Sequence, residues 1–119
     1  IGKTKELSLF PVNDYTEDGQ FLGHIVIGSE MVGEKIRQID GFPAVLASEL
    51  KHCILAHHGE LEFGSPKKPA IVEAVALSFA DNTDAKMETF TEIMENSNDK
   101  GWVGFNRLFD SNLRGTIME

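Results

Sequence analysis

Three imidazoles and one carboxylate are the side chains of this sequence best placed to do chemistry. Its four histidines all fall between residues 24 and 58. His24 opens a stretch whose apolar face continues through Ile27 and Met31. His57 follows Leu50 by seven residues, on the main apolar stripe of its segment, and His58 is about 100° further round the axis of a helix. Asp81 lies three residues past Ser78 and seven past Ala74, on the inward side of a third segment. A carboxylate there is costly unless paired, protonated or bound to metal. Together His24, His57, His58 and Asp81 form a sensible ligand set for a borderline divalent transition ion: Mn, Fe, Co, Ni or Zn. Read singly, a histidine near a helix end is usually a cap or a surface residue. His52 faces away from the stripe of Leu46, Leu50 and Ile54 and reads as a surface or supporting residue.

Helices must bring these residues together. The spacing of Ile25, Val26, Ile27, Met31, Val32, Ile36 and Ile39 predicts a helix over 24–39, with Gly28 marking close packing against another helix. Pro43 suits the first turn of a second helix over 43–58, which Gly59 ends. Residues 59–69 hold two glycines and two prolines and form a structured loop. A third helix runs over 70–96, with Ile71, Ala74, Val75, Ser78, Asp81 and Ala85 on one face. Residues 98–104 break the pattern, and Phe105, Leu108, Phe109 and Leu113 form a short helix or a packed tail. Residues 1–22 read as a small hairpin or ordered loop, since Leu7 and Leu9 alternate with polar neighbours before Pro11 and a run of turn residues. The expectation is an all-α domain with a small extended ornament at its N-terminus.

Composition bounds the function. With 119 residues the chain affords one modest core. The formal charge is −8, spread evenly, so no basic stripe is present to grip a nucleic-acid backbone. One cysteine, Cys53, builds no disulfide framework and fits a reducing, cytoplasmic setting; it reads as a core thiol. No apolar run approaches the roughly 20 residues of a membrane helix. No Walker A loop, GxGxxG, paired-cysteine zinc spacing, HExxH or GxSxG occurs. Glu60 and Glu62 read as loop acids, either solvated or orienting a ligand or water. Ser65, Lys67 and Lys68 read as contacts to a phosphate, or the two lysines as a simple surface pair. Glu73 suits the first turn of its helix, and Trp102, Phe105 and Phe109 read as packing.

A more specific pattern runs through the chain in order. Ile1-Gly2-Lys3 is followed by Gly23-His24-Ile25-Val26-Ile27-Gly28, then His57-His58-Gly59, Gly64-Ser65-Pro66, Glu73-Ala74 and the Asp81-Asn82 step. Over nearly its whole length this series resembles the C-terminal, larger part of an HD-superfamily metal-dependent phosphohydrolase domain, with the nearest likeness to the YhaM-type bacterial 3'-5' exoribonucleases. In that family IGK directly follows the HD dipeptide. The resemblance therefore implies residues 1–119 as an HD-domain-like helical bundle that is incomplete, lacking its N-terminal helices, the HD pair and the upstream histidine.

The resemblance also implies roles. His24, His57 and His58 become ligands of one metal in a binuclear centre with Mn²⁺ as the preferred ion, and Asp81 a ligand of the other. Lys3 becomes a catalytic residue at the substrate phosphate. Glu60 becomes a catalytic candidate for moving a proton, with Ser65 and Lys67 at the substrate rim. The implied reaction is phosphodiester hydrolysis on single-stranded RNA or DNA, with two ions polarising the phosphate and activating water. With half its centre, the chain alone is expected to be inactive, and to self-associate or retain an N-terminal partner fragment over the apolar surface left uncovered. Two other readings compete. An HD-type hydrolase acting on a nucleotide or cyclic dinucleotide suits the acidic balance. A non-catalytic helical interaction domain suits the absence of the HD pair.

Overall fold

A computed structural model describes residues 1–97 and 101–116. The described residues are mostly helical, with one small antiparallel hairpin. Among the described residues four helices follow in order: α1 (Lys3–Glu6), α2 (Glu17–Arg37), α3 (Ala44–Leu55) and α4 (Val72–Glu95). A 3-10 turn, Leu61–Phe63, precedes α4, and strands β1 (Trp102–Asn106) and β2 (Ser111–Arg114) follow it. Two compact units emerge, Ile1–Asp81 and Asn82–Glu119. Among the described residues no helix is long and apolar enough to cross a membrane.

The first 22 residues differ from the expected loop or hairpin. A single antiparallel bridge, Leu7 to Tyr15, is the only hairpin-like pairing among the described residues of this stretch, and helices flank it. α2 starts seven residues before the expected His24 because Thr16 caps it. The Thr16 hydroxyl accepts from the Gly19 amide at 2.9 Å, and Glu17 and Asp18 place negative charge on the first turn. The same hydroxyl donates to the Lys5 carbonyl at 2.8 Å, tying the end of α1 to the start of α2. Gly23 then breaks the helix with φ 70° and ψ 160°, a conformation glycine tolerates and L side chains resist. The apolar periodicity restarts at His24 because a new helical segment starts there.

Close backbone approach fixes α1. A Cβ on Gly2 would lie 1.8 Å from the His24 carbonyl oxygen, so only glycine lets α1 pack directly on the post-kink segment. Gly28 faces Ile54 of α3, where an added Cβ would come within 3.3 Å of its Cγ2. Pro43 is the extended residue immediately before α3, not part of its first turn. α3 ends at Leu55, short of the expected residue 58. Ala56 leaves helical geometry at φ −111° and ψ 4°, and Gly59 turns the chain at φ 79°. His57 and His58 therefore sit in a turn.

The buried core of the first unit is small: Ile25 and Ile27 from α2, Ala56, and Ala74 from α4. Two polar side chains, Glu6 and Ser65, are buried with them. In the second unit, the expected helix or tail over 105–113 is the hairpin. Phe105 pairs with Asn112 and Asn106 with Ser111, and Leu113 is buried. The turn is set by Asn106, whose Oδ1 accepts from the Leu108 amide at 2.9 Å, and by Asp110 at φ 47°. The rings of Phe90 and Phe109 meet edge-on at 5.4 Å. Part of the expected pattern break, residues 98–100, lies outside the described residues.

Candidate metal centre

His24, His57 and His58 come together. One ring nitrogen from each lies within 4.8 Å of the others, and the ring centroids are 4.0–5.6 Å apart. His24 arrives on the first turn after the Gly23 kink; His57 and His58 arrive on the turn that ends α3. The side chains of His24 and His58 are about one-quarter exposed, 23% and 24%, so the cluster is open to solvent on one side.

Each ring is held from behind through Nδ1. Glu6 Oε1 lies 3.2 Å from His24 Nδ1, Asp81 Oδ2 lies 3.0 Å from His58 Nδ1, and the Ile54 carbonyl lies 2.6 Å from His57 Nδ1. A backbone carbonyl only accepts, and so does an ionised carboxylate, which puts the proton on Nδ1 of each ring. In the neutral imidazole every Nε2 is then a bare lone pair. Those of His24 and His58 lie 3.1 Å apart. Two lone pairs that close repel unless a cation or a proton joins them. Nitrogens sharing one divalent ion at about 2.1 Å sit about 3.0–3.4 Å apart, for right-angled to tetrahedral geometry. The donor set therefore fits a divalent transition ion, with an acceptor behind each ring of the sort that orients metal-bound histidines.

The other expected site residues do not join the three converging ring nitrogens. Asp81 supports His58 from behind rather than joining the converging nitrogens, and its side chain is 41% exposed. Ser65, expected at the substrate rim, is 2% exposed, and its Oγ accepts from the His58 amide at 3.2 Å. It holds the turn that carries His57 and His58 and is itself buried. Glu60 is exposed and paired with Lys68, whose ammonium is pushed up by that hydrogen bond and charge. Lys67 is exposed in the same loop, and Lys3 is exposed on α1. His52 accepts from the Ala70 amide at 2.9 Å and so steadies the approach to α4.

Glu6 was not singled out by sequence. One of its oxygens, Oε1, accepts from the His24 backbone amide at 3.0 Å as well as meeting the ring. The kink leaves that amide without the helical partner it would otherwise have, so Glu6 caps the second part of α2.

The fold and centre define a helical domain with a three-histidine group suited to a divalent ion. Curated proteins similar in sequence are exoribonucleases by name. The 3'-5' exoribonuclease YhaM of Bacillus subtilis (strain 168) is 43% identical over 100 residues, covering 80% of this chain and 30% of that protein. Those of Bacillus velezensis and Shouchella clausii are 44% identical over 100 residues and 40% over 97, with the same coverage. The chain thus spans about 30% of the length of the curated relatives it matches. No protein-family profile matches it, and no solved structure matches it.

Proposed function

We propose that this chain carries a metal-binding position of an HD-type phosphohydrolase site, in a protein that removes nucleotides from single-stranded RNA, or DNA, in the 3'-5' direction. The observation that carries the reading is the convergence of one ring nitrogen from each of three histidines, with an acceptor at the Nδ1 of every ring. The likeness to YhaM exoribonucleases supplies the substrate class. His24, His57 and His58 would hold the ion, with Mn²⁺ the choice the resemblance favours; Glu6, Ile54 and Asp81 orient them. A bound ion there would polarise a phosphate oxygen and make water a better nucleophile.

Among the described residues, these three histidines are the one group of metal-ligating type close enough to share an ion. Two-ion hydrolysis needs a second ligand set, so the chain by itself is expected to turn over slowly or not at all. The exposed side chains of Val45, Leu46 and Leu50 on α3 support self-association, which sedimentation reads directly. The free Cys53 supports a cytoplasmic setting.

The test is Mn²⁺-dependent release of mononucleotides from single-stranded RNA, run beside hydrolysis of free nucleotides, on a full-length protein carrying this sequence and on its His57→Ala variant. Release from RNA that the substitution abolishes supports the proposal. Hydrolysis of free nucleotides with RNA untouched would transfer the site to the nucleotide phosphohydrolases.

A further inference from the structure

Beside the histidines, the Gly23 kink and the loop after His58 enclose an open cleft of about 330 Å³. Leu22, Val26, Phe63 and Pro66 form its apolar walls, and His24 and His58 line it too. Phe63 is 65% exposed, so its ring is open to a ligand. Local hydrogen bonds hold it in place. The Phe63 amide donates to the Glu60 carbonyl at 3.1 Å, Gly64 turns the chain at φ 91°, and the next residue, Ser65, is bonded to His58. The loop that presents the ring is thus anchored on a residue of the metal centre itself.

We propose that this cleft holds the base of a nucleotide whose phosphate lies at the three-histidine group, and that the base stacks on Phe63. The inference rests on the metal-phosphohydrolase reading and extends it to the part of the substrate that does not react. Apart from the two histidines, none of the side chains lining the cleft carries charge, so the portion of a ligand inside it is neutral. Next to it, three bare imidazole nitrogens with a metal ion call for an anionic group. A flat, neutral body joined to a phosphate meets both demands. An aromatic face flanked by aliphatic side chains grips any base by its π-face without reading its edges.

The experiment compares binding of adenosine 5'-monophosphate with ribose 5-phosphate, which has the phosphate and sugar but no base. Both are titrated with and without Mn²⁺ into the chain and its Phe63→Ala and Phe63→Tyr variants. The expected result is that the nucleotide binds about tenfold more tightly than the sugar phosphate. Phe63→Ala should erase that preference and Phe63→Tyr restore it. Because Phe63 is exposed, circular dichroism should be unchanged in both variants. Equal binding of the two ligands by the unmodified chain, or a preference that survives Phe63→Ala, overturns the cleft assignment. Mn²⁺ binding is measured separately: its absence refutes the metal reading, whereas its presence without a base preference refutes the cleft alone.

Discussion

Glu6 is the residue whose replacement most sharply separates a built metal site from three histidines that happen to meet. Its side chain is 10% exposed, and Oε1 serves both the His24 amide at 3.0 Å and His24 Nδ1 at 3.2 Å. Glu6→Gln keeps an oxygen in place for both contacts and removes the charge that makes the ring a stronger donor to a metal. Outer partners of this kind are worth about 10–100-fold in metal affinity. With the acceptor retained, the lower end applies: about tenfold weaker Mn²⁺ binding, or about 1.4 kcal/mol, with little change in stability. Glu6→Ala also uncaps the segment after Gly23. It should lose up to about a hundredfold in affinity and about 1–2 kcal/mol of folding stability. Isothermal titration with Mn²⁺ reads the first quantity and urea unfolding the second. Glu6→Gln binding Mn²⁺ as tightly as the unmodified chain would refute the orienting role.

Three further outcomes follow from the same geometry. Asp81→Asn should weaken Mn²⁺ binding by less than about tenfold, because a carboxylate 41% exposed is screened by water; equilibrium dialysis against Mn²⁺ measures it. Ser65→Ala strips the acceptor from the His58 amide and should lower stability by about 1–3 kcal/mol, seen as a reduced urea midpoint. Burial, then the Glu73 carboxylate, raise the Cys53 thiol above its usual range. Less thiolate is present at any pH below that value, so iodoacetamide should label Cys53 more slowly at pH 8 than a free cysteine. Glu73→Gln removes one of the raising charges and should speed the labelling.

The three histidines were legible in the sequence because helical spacing marks which face a residue occupies, even though His57 and His58 proved to lie just past the end of α3. The predicted helix over 70–96 lies close to the observed Val72–Glu95, where no glycine or proline interrupts the apolar spacing. What spacing could not reveal is what stands behind the rings. Glu6 is 18 residues from His24, on a four-residue helix too short to nucleate by itself. That helix exists because Gly2 allows backbone-to-backbone contact with the segment after the kink, a tertiary effect without local signature. The one available hint was the pair of glycines, Gly2 and Gly23, on either side of it. Ser65 was read as a contact to a phosphate at the substrate rim, yet it is buried with its hydroxyl bonded to the His58 amide. The closing hairpin was missed because Phe105, Leu108 and Phe109 mimic helical spacing; Asn106 and Asp110, both good turn formers, were the contrary signal.

The most direct measurement is anomalous diffraction from crystals of the chain soaked in Mn²⁺. One peak bonded to the Nε2 atoms of His24, His57 and His58 is expected, with Glu6 and Asp81 still on the opposite ring nitrogens. A Mn²⁺ ion bound elsewhere, or no peak with the three rings as close as they are here, would contradict a metal centre at this position.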